Sequence, residues 1–404
     1  MLNHPKFPSW PSFSEAEGLL IKNVLISNKV NYWTGDETKA FELEFANWLK
    51  VKYAVALANG TLALDVALKA IGVKDGDDVI VTPRTFIASV SCVVNCGARP
   101  IFADVDRNSG NITAETISQV LTPQTKAIIC VHLSGWPCDM DPIMQLAEKH
   151  NIKVIEDCAQ AHGAIYKSQM VGTIGHIGAW SFCQDKIMTT GGEGGLVSTN
   201  DMDLWRKMWA YKDHGKSYEA IYERKHPKGF RWVHESFGTN FRMLEIQAAL
   251  GRYQLKKMKL WIKIRQQNAD ILLGTLRSFN SIRVPDFKCN STCEIGCFKQ
   301  SRCQHAFYKC YAYVKNEFLK ASWSRDRIID ELNIEGIPCF QGGCSEVYLE
   351  KAFAGKSFKP KSRLKVAKEL GESSLMFLVH PTLTIKNMTE IARVIKKVLN
   401  KATK

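Results

Sequence analysis

Between residues 50 and 200 the chain alternates short β-branched runs with longer stretches whose apolar residues recur at helical spacing. Val51-Lys-Tyr-Ala-Val-Ala-Leu57 predicts a strand, and Gly60-Thr61 leads into a helix over 62–71. A strand over 78–82 is followed by a helix over 85–95. Further strands are expected over 99–105, 126–133 and 153–157, the last preceded by a helix over 142–150. Strands that alternate with helices connect through right-handed crossovers and build a mostly parallel sheet covered on both faces. Ligands of such sheets bind beyond the carboxyl ends of the strands. Gly60-Thr61, Thr85-Phe86 and the segment 157–160 each stand at such an end.

Downstream the pattern changes. Residues 242–278 read as one long helical stretch, 280–302 as an irregular cysteine-rich segment and 305–314 as an alternating strand. A helix over 324–335 and a basic helix over 387–404 follow. The expected organisation is α/β: a large domain over 1–255 with the mostly parallel sheet flanked by helices, and a smaller C-terminal α/β domain over 256–404. No internal repeat is visible.

With 404 residues, 45% of them apolar, the chain can bury a sizeable core, which excludes a disordered or disulfide-scaffolded protein. Residues 1–10 lack the apolar run and cleavage site of a secretory leader. Nowhere do about 18 uncharged apolar residues run together, so no membrane span is expected and the protein reads as soluble and cytoplasmic. Lys and Arg number 54 against 40 Asp and Glu, a formal charge of +14. Such a charge attracts nucleic acid. The lysines are spread along the chain, however, and the densest run, 254–265, reads as the polar face of an amphipathic helix. No zinc-finger spacing or RNA-binding motif is present, so no nucleic-acid partner is expected. Small phosphorylated ligands account for the charge better.

Of the 13 cysteines, Cys92, Cys96, Cys130, Cys158 and Cys183 stand singly in apolar stretches, as small buried hydrophobes do. Cys289, Cys293, Cys297 and Cys303 are separated by three, three and five residues. That spacing fits neither paired zinc knuckles nor common iron–sulfur runs, so loop cysteines are expected and no metal site.

Reactive chemistry concentrates around Lys186, a lone lysine in Ala179-Trp-Ser-Phe-Cys-Gln-Asp-Lys-Ile-Met-Thr-Thr-Gly-Gly-Glu-Gly-Gly195. It follows a strand-like run and precedes a glycine-rich turn, a setting in which desolvation favours the neutral amine that attacks an aldehyde. A phosphate grip or a plain surface turn would leave the same trace. Asp157 stands upstream in Ile155-Glu-Asp-Cys-Ala-Gln-Ala-His-Gly163. A carboxylate at a strand end can bind a protonated pyridine nitrogen, the charge that makes pyridoxal 5'-phosphate (PLP) an electron sink. The plainer reading of Asp157 is a helix N-cap. Gln160 can contact a ring hydroxyl or be a solvated turn residue. Gly60 and Thr61 before a helix offer backbone N–H groups and a hydroxyl to a phosphate, or form an ordinary turn. Ser181 can add a hydroxyl to that phosphate or be a strand residue, and Phe86 can stack on a flat ring or be core. His214 and His305 can lie near a substrate, and the structural reading is the favoured one.

The order and spacing of these pieces resemble the DegT/DnrJ/EryC1/StrS family of sugar aminotransferases, within the fold type I superfamily of PLP enzymes with its seven-stranded sheet. The resemblance runs from about Asn31 to Leu255. Besides the stretches around Asp157 and Lys186, it is carried by Ala58-Asn-Gly-Thr-Leu-Ala-Leu64, Pro83-Arg-Thr-Phe-Ile-Ala-Ser89 and Gly238-Thr-Asn-Phe-Arg-Met-Leu-Glu-Ile-Gln-Ala-Ala-Leu-Gly251. It implies that Lys186 is the Schiff-base lysine, Asp157 the pyridinium partner and Gln160 the ring-hydroxyl contact. It likewise implies that Gly60, Thr61 and Ser181 hold the phosphate, that Phe86 stacks on the ring, and that Asn240 reaches the phosphate of the neighbouring subunit's cofactor in a homodimer with shared active sites. The implied reaction is ping-pong transamination from glutamate to a nucleotide-linked keto-deoxy sugar, C4 favoured and C3 possible, in amino-sugar and cell-surface polysaccharide biosynthesis. A sugar dehydratase of the same family replaces the lysine with histidine, so Lys186 argues against it. A non-catalytic PLP-binding regulator is the reading from another class. The chain departs from the family pattern at Asp185, where many relatives have Asn, at Thr239, and across the C-terminal region around Pro338-Cys-Phe-Gln-Gly-Gly-Cys-Ser-Glu-Val-Tyr348.

Overall fold

The structure is a computed structural model describing residues 7–229, 231–286 and 303–404. Cys289, Cys293 and Cys297 lie outside the described residues, and Cys303 is buried. Strands β1 (Tyr53–Leu57), β2 (Asp78–Val81), β3 (Arg99–Phe102), β4 (Thr125–Val131) and β5 (Lys153–Asp157) match the predicted ones with trimmed ends. A small hairpin, β6 (Ile165–Tyr166) and β7 (Gln169–Met170), precedes β8 (Ile177–Ser181) and β9 (Gly195–Thr199). The large sheet has seven strands in the order β1-β9-β8-β5-β4-β2-β3. Pairing is parallel from β3 to β8, and β9 runs antiparallel to both of its neighbours. Strands β2, β8 and β9 are buried along their whole length, as expected of strands covered on both faces. The sequence reading did not anticipate β9, whose glycine start and Ser-Thr end hide its short apolar centre.

The helix predicted over 62–71 starts earlier, as Gly60–Ala70, because the Asn59 side chain caps it by accepting the Leu62 amide at 3.0 Å. The stretch 242–278 divides into Glu245–Leu255 and Met258–Leu276. The basic run predicts a polar face, and Arg265 departs from it because it is buried. Met258, Ile262, Arg265, Ala269 and Leu272 recur at helical spacing on the buried side of Met258–Leu276.

A second, antiparallel sheet is formed in the order β10 (Ile282–Arg283), β11 (Cys310–Val314), β13 (Ser374–Phe377) and β12 (Cys339–Phe340). Its core is shared with the helices Met258–Leu276 and Ile385–Ala402. The strand predicted over 305–314 begins only at Cys310, since residues 305–309 bend with Phe307 at φ +47°. No described helix is long and apolar enough to cross a membrane.

Candidate active site

A cleft of about 1120 Å³ lies where the carboxyl ends of the parallel strands face the second sheet. Gly60, Thr61, Phe86, Asp157, Gln160, Ser181 and Lys186 all line it. Asn240 does not line it. That residue is exposed, its backbone bridges to Asp213, and its Oδ1 accepts the Arg242 amide at 3.4 Å.

At one end of the cleft stands the N-terminus of the helix Gly60–Ala70. First-turn amides have no acceptor within their own helix and carry its partial positive charge, which suits a phosphate. The Asn59 side chain takes only the Leu62 amide, leaving those of Gly60 and Thr61 without a hydrogen-bond partner among the described residues. A Cβ on Gly60 would stand 2.5 Å from Ser181 Cβ, so glycine is what lets the helix end approach β8. That close approach brings the Ser181 hydroxyl to the same corner.

Asp157 ends β5 and is 5% exposed. No helix follows it, so the N-cap reading is set aside. Its Oδ1 accepts the Ala159 amide at 3.1 Å in a local turn, and its Oδ2 accepts the Ser89 hydroxyl at 2.8 Å. The Ser89 oxygen is itself 2.8 Å from that of Thr85. Gln160 accepts the Ser134 amide at 2.7 Å through Oε1, which leaves Nε2 as its donor. The Phe86 ring is 70% exposed although it lines the cleft, so it is not the core residue its plainer reading made it.

Lys186 lies with its Nζ 5.0 Å from the centre of the Tyr308 ring. Its carbonyl oxygen accepts the indole N–H of Trp10 at 2.8 Å, tying the N-terminal segment to the lysine loop. The Tyr308 hydroxyl donates to Asp185 Oδ2. Burial pushes the Asp185 carboxyl up, but the cations Lys186 and Lys309 together with Tyr308 outweigh it and hold the group below the usual carboxylate range. Burial and Asp185 both push the Tyr308 phenol well up, so the shared proton stays on the tyrosine. Lys309 also lines the cleft. Burial, with lesser contributions from Arg265 and Lys186 against the pull of Asp185, brings its ammonium down to about 8.

Tyr308, Lys309, Arg265, Trp10 and His380 are cleft residues that the sequence reading passed over. Only Arg265 left a signal, a charged side chain at apolar spacing. His305 is buried, its ring stacked on Phe307 and its Nδ1 accepting the Phe307 amide at 2.9 Å, and neither it nor His214 lines the cleft.

An anion-binding helix end, a hydroxyl, an aromatic wall, a buried carboxylate and an amine thus face one cavity. That donor set fits a flat phosphorylated aldehyde with a basic ring nitrogen.

Known proteins share this arrangement of chain. The model of the DegT/DnrJ/EryC1/StrS aminotransferase family matches residues 12–398. A GDP-perosamine synthase of Escherichia coli O157:H7 is 42% identical over 63% of this chain and 65% of its own length, just under two thirds. A UDP-N-acetyl-3-dehydro-alpha-D-glucosamine 3-aminotransferase of Acidithiobacillus ferrooxidans is 32% identical over 93% of this chain and 92% of its own. The X-ray structure of an aminotransferase from Psychrobacter cryohalolentis superposes with a TM-score of 0.94 at 59% identity, covering 98% of this chain and 99% of that one.

Proposed function

The chain belongs to the DegT/DnrJ/EryC1/StrS aminotransferase family, and on that premise we propose that it holds PLP in this cleft and moves the amino group of glutamate to a nucleotide-linked keto-deoxy sugar. The observation that carries the reading is that Lys186 and Asp157 line one cleft with the N-terminus of the helix Gly60–Ala70. The bound cofactor supplies an electron sink for the charge that develops at the donor's α-carbon.

The protein's own residues supply the rest. Gly60, Thr61 and Ser181 bind the phosphate, and Phe86 covers a ring face. Asp157, its orientation fixed by Ser89 and the Ala159 amide, keeps the ring nitrogen protonated. Gln160 directs Nε2 to the ring hydroxyl because Ser134 occupies its oxygen. Lys186 Nζ would hold the cofactor at its aldehyde carbon and, as a free amine, would take the proton from the donor's α-carbon. The exposed Asn240 reaches the phosphate in a second copy of the chain, so the working unit is a symmetric homodimer. A cytoplasmic enzyme of amino-sugar and cell-surface polysaccharide synthesis is the setting in which these parts make sense together.

C4 is the carbon favoured. The resemblance to a 3-aminotransferase over most of the chain supports C3 as the second reading. Incubation of the purified protein with glutamate is expected to remove the absorbance of the lysine-bound cofactor and release 2-oxoglutarate. A panel of nucleotide-linked 3-keto and 4-keto sugars then identifies the acceptor. An unchanged spectrum overturns the reading in favour of a binding protein, and full turnover by Lys186→Ala overturns the role of the lysine.

A further inference from the structure

Around Lys186 two further cations, Lys309 and Arg265, line the cleft; of its carboxylates Asp157, Asp185, Glu193 and Glu350, only Asp185 forms an ion pair with one of the three cations among the described residues. Lys309 lines the cleft with 14% of its side chain exposed, and its Nζ is 3.7 Å from Asp185 Oδ2. The same oxygen accepts the Tyr308 hydroxyl, and Lys186 draws on that carboxylate as well. Behind this layer stands Arg265, 1% exposed, under the Trp10 ring at 5.2 Å. Its Nη1 reaches the carbonyls of Phe307 and Tyr308 only at 3.3 and 3.4 Å, while Nε and Nη2 have no hydrogen-bond partner among the described residues. Burial pushes the Arg265 guanidinium down to about 9, which still leaves it a cation at neutral pH. The nearby His380 adds no charge, since burial, Arg265 and Lys309 push it down to about 3.

Three cations, Lys186, Lys309 and Arg265, therefore draw on Asp185 as the carboxylate nearest to them among the described residues. With the Lys186 amine engaged by the cofactor, two cations still share it. A buried cation without a counter-charge is costly. One unbalanced positive charge matches a monoanionic group, and a carboxylate supplies one together with two acceptor oxygens.

We propose that Lys309, with Arg265 fixed behind it, is the carboxylate subsite of the cleft, taking an acidic group of the substrate while the reacting carbon sits at Lys186. The inference rests on the aminotransferase reading and deepens it. The carboxylate can come from the amino donor or from an acidic keto sugar.

The experiment uses the holoenzyme, Lys309→Met and Lys309→Arg. Glutarate, a dicarboxylate with no amine to react, is titrated calorimetrically into each. Lys309→Met is expected to bind it at least about tenfold more weakly, and Lys309→Arg to recover most of the loss, with cofactor absorbance retained in both. The two half-reactions are then run separately by stopped-flow absorbance. Weakened saturation by glutamate assigns the subsite to the donor. Weakened saturation confined to a keto sugar bearing a carboxylate, with a neutral keto sugar unaffected, assigns it to the acceptor. Glutarate binding and both half-reactions within about twofold of the parent overturn the proposal. Should Lys309→Met not fold, the parent decides: glutarate competes with the carboxylate substrate and dimethyl glutarate does not, and equal competition overturns the proposal. A protein with no cofactor absorbance contradicts the aminotransferase reading instead, while glutarate titration still reports on the subsite.

Discussion

Two neighbouring carboxylates on β5, Glu156 and Asp157, point to opposite faces of the sheet and meet opposite environments. Glu156 is 0% exposed and its two oxygens accept four donors: the amides of Gly172, Ile174 and Gly175, and Nε2 of His132. The His132 ring is fixed in turn, its Nδ1 accepting the Cys138 amide at 3.0 Å. Burial pushes the Glu156 carboxyl up, but His132 and the amides outweigh it and hold the group below its usual range. Ligand atoms of His132, Glu156 and Cys158 lie within 4.8 Å of one another, the proximity a metal would need, yet the glutamate has no acceptor capacity left. The Asp157 side chain, one residue on, has among the described residues only Ser89 and its own turn, and the cleft beyond. A saturated carboxylate ties the fold together. An unsaturated one at a strand end is available to a ligand.

The sharpest way to break this contrast is to neutralise each carboxylate in turn. Asp157→Asn keeps the shape and removes the charge that, in its proposed role, holds a ring nitrogen protonated. Turnover should fall by about 10²–10⁴-fold, the range general acid–base groups contribute, while the thermal midpoint stays close to that of the parent. Steady-state kinetics and a melting curve on the same preparation check both halves. Glu156→Gln should show the reverse. It leaves buried donors unpaired and should lose about 3 kcal/mol of unfolding free energy in denaturant titration, with near-parental turnover in the folded fraction. A kinetic loss without a stability loss in Glu156→Gln would erase the distinction.

Gly60→Ala probes the corner where the helix end meets β8. A methyl in contact with Ser181 should cost about 1–3 kcal/mol of stability and weaken cofactor affinity measured by spectrophotometric titration. The remaining probe is the pH response of Lys309. Its ammonium titrates near 8 in the fold against an ordinary 10.5, so between these values the unfolded chain binds the extra proton. The stability of the parent relative to Lys309→Met should therefore rise with pH across that window, and a flat or falling difference would place the lysine in solvent.

Much of the fold was legible because its signals are local. The parallel strands carry continuous apolar runs, and Gly60, Thr61, Phe86, Asp157, Gln160, Ser181 and Lys186 stand at or just beyond strand ends, which a parallel sheet gathers at one edge. What was hidden depends on the folded chain. Strand β9 is too short to announce itself, and the break between Leu255 and Met258 lies inside an unbroken helical pattern. Trp10, Arg265, Tyr308 and Lys309 reach the cleft from distant parts of the sequence with no motif around them. The bend at Phe307 that turns Tyr308 and Lys309 into the cleft interrupts what reads as a plain strand.

Among the described residues the cleft offers two amines, Lys186 and Lys309, and the account depends on which one carries the aldehyde. Reducing the purified, cofactor-loaded protein with borohydride fixes the adduct on its lysine, and peptide mass mapping reads its position. The account predicts a pyridoxyl group on Lys186 alone. An adduct on Lys309, or none on either residue, would contradict it.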